Sequence, residues 1–380
     1  FIGFEPFLII KSKNRDVSIN GRHFAGNPIK ILKKKLSLFK SIRHKELPLF
    51  FGGAVGYFAY DIARFFEKLP KKAADDINAP GMHFLFTDKS IIFDHLAHEL
   101  SIVVLGNNYE TSLDEIIRIK KIIESRPKKN VQNKKIKCSQ LKSNFKKSEY
   151  IKAIEKVKEY IKAGDTFQAN LSQRFEAEIA GDPLALYRSL AKINPAPFSA
   201  LLEFDDVKII SSSPERLVRL ENGIAATRPI AGTRPRGKTK EEDLRLEKEL
   251  LDSKKERAEH TMLVDLERND LGRVCDYGSV KLTETMAVEK YSHVMHLVSN
   301  VQGKLHKSKD QFDLIKAVFP GGTITGCPKI RTMGIIDELE PSARGPYTGS
   351  LGYFNFAGDM DFNIIIRTLI IKGNKVYVQV

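Results

Sequence analysis

Two glutamates three residues apart, Glu256 and Glu259, are the side chains whose type and spacing most directly suggest chemistry. They lie in a run from 241 to 264 that has no proline or glycine and whose apolar residues recur roughly on one face, which predicts a helix. Carboxylates at positions i and i+3 project from the same side of a helix and can share a hard cation such as Mg²⁺. A solvated helical face is the alternative, because Lys255 and Glu259 also form an ordinary i, i+4 pair.

Two more charged residues and a glycine-rich loop can belong to the same site. Glu215 ends a predicted buried strand, where large sheets often place catalytic carboxylates, although it can equally cap a helix or pair with the next arginine. Arg367 interrupts an apolar run, and a cation there requires a partner such as a substrate carboxylate. The glycines of 321–326 precede a predicted helix and can offer backbone N–H groups to a carboxylate. Cys327-Pro328 replaces the Gly-Lys-Ser/Thr ending of a phosphate loop, which excludes that type of nucleotide triphosphatase.

The composition is that of an ordinary globular protein, with 42% hydrophobic and 29% charged residues among 380. No apolar run is long enough to span a membrane, so we expect no membrane partner. The three cysteines are far apart, which argues against a disulfide framework and favours the reducing cytoplasm.

The net charge of +15 raises the question of a nucleic-acid partner. Most of the excess lies in short lysine runs without interleaved aromatic residues and without a helix-turn-helix, zinc-finger or RNP pattern. We therefore expect no nucleic-acid partner. A basic nucleic-acid-binding or scaffold protein is kept as the non-enzyme alternative.

The elements that position these residues fall into two parts. Apolar residues thin out and lysines accumulate over 126–147, which predicts a solvated linker between an N-terminal subdomain, 1–125, and a catalytic domain, 148–380. In the second part, apolar and polar residues alternate over 166–175, which predicts a strand with one polar face toward a cavity.

The order of several segments resembles that of the chorismate-utilising enzymes, the family of component I of aminodeoxychorismate (para-aminobenzoate) synthase and of anthranilate synthase. The blocks that carry the resemblance are 211–216, 228–237, 255–273, 291–299, 319–331 and 345–368. The fold that it implies is α+β, with two large antiparallel sheets packed as a sandwich, flanked by helices, and with the site in a cleft.

The resemblance also implies roles for individual residues. Glu259 becomes a Mg²⁺ ligand with Glu256 beside it, and Glu215 and His296 match acid/base positions. The positions that match chorismate-binding residues are Gly232, Thr233, Thr323, Tyr347 and Arg367. Chorismate carries two carboxylates and a ring hydroxyl that must leave, so a cation for each carboxylate and a proton donor suit it.

Two departures from the family pattern matter. Many aminodeoxychorismate synthases carry a lysine nucleophile where this chain has Ala231, as anthranilate synthases do. The family also continues past the position of Val380 with a Gly-Ala-Gly segment and a glutamate that completes the Mg²⁺ site. We therefore expect the sequence to be a fragment of a longer protein, because it also begins without methionine.

Other segments favour the para-aminobenzoate branch. The segments that look more like this branch are residues 168–174, 194–200, 322–329 and 360–364. Anthranilate synthases usually have Pro-Tyr-Met where this chain has Pro197, Phe198 and Ser199, a segment that lines their tryptophan pocket. The sequence thus predicts Mg²⁺-dependent amination of chorismate to 4-amino-4-deoxychorismate, with ammonia from a glutamine amidotransferase subunit. Anthranilate synthase component I is the alternative.

Overall fold

The computed structural model describes residues 1–43, 47–125 and 136–380. The helices in this part of the chain are α1 (Pro28–Leu36), α2 (Tyr109–Glu124), α3 (Lys147–Lys162), α4 (Pro183–Ile193), α5 (Lys240–Asp252), α6 (Lys254–Gly272), α7 (Gln311–Val318) and α8 (Lys329–Leu339). A short 3-10 helix covers Tyr60–Phe65. None of the helices in the described ranges is long and apolar enough to cross a membrane.

The strands of the first half are β1 (Ile2–Gly3), β2 (Leu8–Lys13), β3 (Asp16–Ile19), β4 (Arg22–Ala25), β5 (Gly53–Phe58), β6 (Met82–Thr87), β7 (Lys89–Asp94), β8 (Glu99–Val104), β9 (Lys137–Cys138), β10 (Lys142–Ser143), β11 (Gln168–Ala169) and β12 (Arg174–Ala180). Those of the second half are β13 (Phe198–Glu203), β14 (Lys208–Ser213), β15 (Arg216–Glu221), β16 (Ile224–Thr227), β17 (Ile230–Pro235), β18 (Lys281–Lys290), β19 (Val294–Lys304), β20 (Gly326–Cys327), β21 (Ser350–Asn355), β22 (Met360–Asn363), β23 (Thr368–Lys372) and β24 (Lys375–Gln379).

Two large antiparallel sheets form the body of the protein. The twelve-stranded sheet has the order β17-β19-β16-β15-β22-β21-β5-β6-β2-β3-β4, with β18 also paired to β19. The seven-stranded sheet has the order β10-β12-β24-β23-β14-β13, with β9 also paired to β12. Smaller sheets join β1, β7 and β8, and β11 with β20. The predicted α+β fold with two antiparallel sheets is thereby confirmed.

The two large sheets pack face to face through an apolar layer. Tyr57 and Leu351 from the twelve-stranded sheet meet Ile209, Ile370 and Tyr377 from the seven-stranded sheet, and all five are buried. Burial of such side chains supplies about 1.5–3 kcal/mol each, so this layer holds the two sheets together.

Helices cover the other face of the twelve-stranded sheet. Phe354 and Phe362 of the sheet form an aromatic cluster with Phe58 and Phe84, and Phe312 of α7 stacks on Phe354 with ring centroids 4.8 Å apart. The same cluster includes residues of α1 and α6. The cluster therefore fixes α6 against the sheet, with its polar residues toward β17 and β19.

The long helix predicted over 241–264 is two helices. Ser253 ends α5 and begins α6, and its side chain accepts a hydrogen bond from the backbone N–H of Glu256 at 3.4 Å. Serine competes for backbone hydrogen bonds and is favoured at helix starts, which explains a break in an otherwise helical run. Glu256 and Glu259 stay on one helix, now in and just after its first turn.

The organisation of the middle of the chain differs in detail from the prediction. Regular strand within 166–175 is limited to β11 and the start of β12, because residues 170–173 turn between two different sheets. Part of the predicted linker, 126–135, lies outside the described residues. The boundary between 1–125 and 148–380 stays a prediction, and strands from both sides of it share the twelve-stranded sheet through β5 and β21.

Candidate active site

The Ala-Gly-Thr segment of β17 carries a bulge that lets α6 approach the sheet. Ala231 and Thr233 pair with β19 on either side of a register shift, and Thr233 lies opposite His296. Gly232 sits at the shift with φ +74°, a conformation that glycine adopts without steric cost. A Cβ on Gly232 would lie 3.1 Å from Oε2 of Glu256. The glycine therefore places a predicted chorismate position directly beside a predicted metal position.

Glu259 is fixed from the opposite side by Gln168. The Nε2 of Gln168 donates a 2.8 Å hydrogen bond to Oε1 of Glu259. Gln168 belongs to β11, which pairs with the Gly326–Cys327 strand β20 and so lies next to the glycine-rich loop. Sequence reasoning did not include Gln168 among the site residues. The polar alternation over 166–175 was the signal that could have identified it.

The pair of glutamates fits an open Mg²⁺ site. Both carboxylates project from α6 and supply the oxygen donors that Mg²⁺ prefers, and Mg²⁺ normally keeps several water or substrate oxygens. Glu256 Oε1 lies 3.3 Å from a guanidinium nitrogen of Arg234, so this carboxylate is already paired. Within the described ranges no group of three or more His, Cys, Asp or Glu side chains could enclose a metal ion. Glu259 is therefore the better candidate ligand, with Glu256 beside it.

Glu215 is a buried carboxyl group between β14 and β15, with 5% of its surface exposed. Burial raises the pKa of Glu215 to about 7, although Thr323, the backbone N–H of Ile230 and the charge of Arg367 lower it. Its Oε1 atom has no hydrogen-bond partner among the described residues. A carboxyl group with this pKa can both hold and release a proton near neutral pH.

His296 is a buried imidazole on β19. Its Nδ1 lies 2.9 Å from the hydroxyl oxygen of Thr233 and 3.4 Å from the carbonyl oxygen of Gly232. Burial lowers the pKa of His296, and the positive charge of Arg367 lowers it further, so the ring is neutral at pH 7. The Nε2 atom is buried without a partner in the described part of the chain. It is free to donate to, or accept from, a bound molecule.

Arg367 provides the positive charge of the site. It is exposed, rather than embedded in an apolar strand as its sequence context suggested, because it lies in the turn between β22 and β23 with φ +50°. Its charge lowers the pKa of Glu215, His296 and Tyr291. No ion pair joins Arg367 to another described residue. Such a strained, unpaired arginine is suited to bind a substrate carboxylate.

Tyr347 is a buried residue whose ring faces Arg344. It is buried in the connection before β21, and the Cζ of Arg344 lies 5.7 Å from the centre of its ring. Burial raises the pKa of Tyr347 to about 12, so its hydroxyl stays protonated. The next residue, Thr348, has φ +57°, a second strained position beside a predicted chorismate-binding residue.

Glu267 carries a buried carboxyl oxygen that sequence reasoning missed. It lies on α6 two turns beyond Glu259. Burial raises the pKa of Glu267 well above its ordinary value, and the charges of Glu215 and Asp270 raise it further, whereas Thr227 and Lys329 lower it. Burial therefore favours the protonated form of Glu267. No periodic signal in the sequence separates this glutamate from the exposed acidic residues of the same helix.

Unpartnered polar atoms gather around α6. In the described residues, seven buried side-chain atoms without a hydrogen-bond partner belong to α6 or to segments that pack around it: Gln168 Oε1, Glu215 Oε1, Thr227 Oγ1, His260 Nδ1, Glu267 Oε2, His296 Nε2 and Thr323 Oγ1. Buried polar groups in folded proteins are nearly always paired, so this concentration around one helix marks the candidate functional region.

This chain is similar to known chorismate-binding enzymes along its length. Residues 2–380 match the family model for chorismate binding enzymes. The chain is 46% identical to anthranilate synthase component 1 of Acetivibrio thermocellus over 396 aligned residues, covering 100% of this chain and 80% of the relative. It is 43% identical to aminodeoxychorismate synthase component 1 of Bacillus subtilis (strain 168), covering 99% of this chain and 82% of the relative.

A solved structure gives the same result for the fold. Anthranilate synthase component I from Streptococcus pneumoniae TIGR4 superimposes with a TM-score of 0.92 at 36% identity, covering 100% of this chain and 85% of that one. The resemblance recognised in the sequence is thereby confirmed. The chain belongs to the chorismate-binding enzyme family, as a chorismate-utilising enzyme of the anthranilate and aminodeoxychorismate synthase type.

Proposed function

We propose that this protein is component I of an aminodeoxychorismate synthase and replaces the ring hydroxyl of chorismate with ammonia. The observation that carries the proposal is the presence together of Glu215, a carboxyl group with a pKa of about 7, and the exposed cation Arg367, whose charge acts on it. The first can give a proton to the departing hydroxyl, and the second can hold a substrate carboxylate in register.

The remaining residues have roles that follow from their positions. Glu259, held by Gln168, with Glu256 beside it, would hold Mg²⁺. Bound Mg²⁺ would neutralise the second carboxylate of chorismate and favour loss of the hydroxyl. Neutral His296, oriented by Thr233, can accept a proton from the incoming ammonia or stabilise the leaving oxygen. Ala231 offers no amine of its own, so the nucleophile must come from outside the chain.

The source of that nucleophile is a second subunit in our proposal. The relatives are named as component 1 of their synthases, which supports a separate component II for this chain as well. A glutamine amidotransferase is the partner that the resemblance implies. It would deliver ammonia to the cleft next to Ala231.

The choice of the para product rests on the 194–200 segment. Asn194 donates from Nδ2 to Oγ of Ser212 at 3.2 Å, and Ser199 donates its hydroxyl to the carbonyl oxygen of Ala196 at 2.8 Å. This polar turn stands where anthranilate synthases usually place the tryptophan-pocket segment. Anthranilate synthase component I is the second candidate, favoured by Ala231 and by the identity to anthranilate synthases.

Product analysis separates the two candidates. The full-length protein is incubated with chorismate, Mg²⁺ and ammonium, with and without an aminodeoxychorismate lyase, and the mixture is separated by chromatography. We expect para-aminobenzoate only when the lyase is present, and no inhibition by tryptophan. Accumulation of anthranilate without the lyase would establish the second candidate, and unchanged chorismate under all conditions would contradict both.

A further inference from the structure

Arg344 is the largest side chain that is fully buried in the described structure. Its guanidinium faces Glu340, with Nη2 2.7 Å from Oε1 and Nε 3.0 Å from Oε2 of that carboxylate. Glu340 Oε1 also accepts hydrogen bonds from the backbone N–H and the hydroxyl of Ser172, both at 2.8 Å. The charge of Arg344 is therefore balanced inside the protein.

The other donors of Arg344 reach three separate segments of the chain. Nη1 donates to the carbonyl oxygen of Ile324 at 2.8 Å and to the hydroxyl of Thr348 at 3.3 Å. Nη2 donates to the carbonyl oxygen of Asn170 at 2.5 Å. The planar guanidinium carries five N–H donors in a fixed arrangement, so it sets the relative positions of the groups that it binds.

Each of these segments adjoins a residue assigned to the candidate site. Ile324 follows Thr323, which lies beside Glu215 and lowers its pKa. Thr348 follows Tyr347, whose ring faces the guanidinium. Asn170 lies two residues after Gln168, which holds the predicted Mg²⁺ ligand Glu259. The side chain of Arg344 is 1% exposed, so it offers no accessible atom to a substrate in the cleft.

We propose that Arg344, with Glu340, is a positioning residue that holds Thr323, Tyr347 and Gln168 in the geometry needed for turnover. The proposal rests on the proposed function and adds to it a residue that acts from behind the site. Its effect should fall on the binding and reaction of chorismate rather than on stability alone.

The energetics of a buried ion pair allow a positioning role to be distinguished from a purely structural role. Two buried charges lose their hydration, so replacing both with uncharged side chains is often neutral for stability, whereas removing one is strongly destabilising. A pair that serves only stability should therefore tolerate joint replacement without loss of activity. A pair that positions other segments should not, because the three carbonyl and hydroxyl acceptors lose their common donor.

The test is a double substitution, Glu340→Gln with Arg344→Met. Glutamine keeps an acceptor for Ser172, and both charges are removed together. The control is Arg43→Met with Asp359→Asn, an ion pair at 3.0 Å whose carboxylate also accepts from the backbone N–H of Asn222 and makes no hydrogen bond to the segments that Arg344 binds. For each protein we would measure melting temperature, chorismate affinity by calorimetry, and kcat and KM with ammonium in the full-length chain.

We expect the Glu340/Arg344 variant to stay folded and to have a kcat/KM that is lower by about 100-fold. Both a lower kcat and a higher KM should contribute to this loss, because a displacement of about 1 Å in a positioned site has an effect of this size. The control should change kcat/KM by less than about twofold. Equal kcat/KM losses in the two variants would overturn the proposal. If the double variant does not fold, Arg344→Lys keeps the charge beside Glu340, and a parental kcat/KM in that variant would overturn the proposal as well.

A readout without substrate separates this inference from the proposed function. Amide hydrogen exchange at 168–170, 323–326 and 347–348 should speed up in the Glu340/Arg344 variant and not in the control. If the parent protein does not bind chorismate, the proposed function fails, while the exchange result still tests whether Arg344 holds these segments. Unchanged exchange at all three segments would refute the positioning role.

Discussion

The side-chain amide of Gln168 donates a 2.8 Å hydrogen bond to the carboxylate of Glu259 across the cleft. The two residues come from different parts of the fold, the short strand β11 and helix α6. This bond leaves Glu259 with a fixed orientation before any metal ion binds. Preorganisation of this kind would lower the cost of assembling the proposed metal site.

Glu259→Gln should therefore abolish Mg²⁺-dependent turnover while the protein stays folded. A neutral amide is a poor ligand for a hard cation, and we expect kcat/KM to fall by about 100-fold or more. Asp265→Asn on the exposed side of the same helix, where Asp265 pairs with Arg268, is the control and should leave turnover unchanged. Parallel losses of melting temperature and activity in Glu259→Gln would indicate a structural role instead.

Glu215 should give the reaction an alkaline limb near neutral pH. If its protonated form donates to the leaving hydroxyl, kcat/KM should decline about tenfold per pH unit above a pKa of about 7, because deprotonation removes the acid. Glu215→Gln should lower kcat by about 100-fold or more, with a smaller change in KM, and remove this limb. A pure KM effect would assign Glu215 to substrate binding.

Glu267 should make the protein less stable as pH rises. Its pKa is raised in the folded state, so its stabilising contribution is complete below the unfolded pKa and is lost as pH increases through the folded pKa. The loss is up to about 1.4 kcal/mol per pH unit between these two values. Glu267→Gln mimics the neutral form, so its melting temperature should fall less than that of the parent between pH 5 and pH 8. Identical pH profiles would show that Glu267 is ionised in the folded protein.

Gly232→Ala should lower turnover by more than the backbone strain of alanine alone would explain. Alanine at positive φ costs about 1–2 kcal/mol, and a Cβ would also meet Leu250 at 2.9 Å and Glu256 at 3.1 Å. Gly223→Ala is the matched control, since Gly223 has φ +76° and a Cβ there would have no neighbouring atom within 4 Å. Both variants should lose similar backbone stability, and only Gly232→Ala should also lose turnover. Comparable activity in the two variants would contradict the role of the bulge.

Several residues of the candidate site can be selected from the sequence because they lie in regular patterns. The i, i+3 spacing of Glu256 and Glu259 survives the break at Ser253, because both residues lie on α6. Glu215 ends a strand that is buried, as its apolar neighbours indicated. These predictions need only local periodicity, which the sequence contains.

The residues that escaped prediction depend on tertiary contacts. Glu267 and the exposed Asp265 lie on different sides of α6. Which side faces the sheet depends on the packing of α6 against β17 and β19. Gln168 becomes a site residue because β11 pairs with β20, far away along the chain. Arg344 has no sequence signal of burial, since arginine is usually exposed. Such assignments require the three-dimensional fold.

The central pairing of the twelve-stranded sheet constrains the order of folding. β5 pairs with β21, joining Gly53 to Asn355, so this part of the sheet cannot close until most of the chain has left the ribosome. Pairings between distant segments form slowly, because the entropy of a long loop must be lost first. Until then β5 presents an open, apolar edge to other nascent chains, whereas β6 is already paired with β2 and β5. Tyr347 lies before β21 and Arg367 lies before β23, so the proposed chorismate site cannot form before β21 has closed this part of the sheet, and chorismate binding would report that closure.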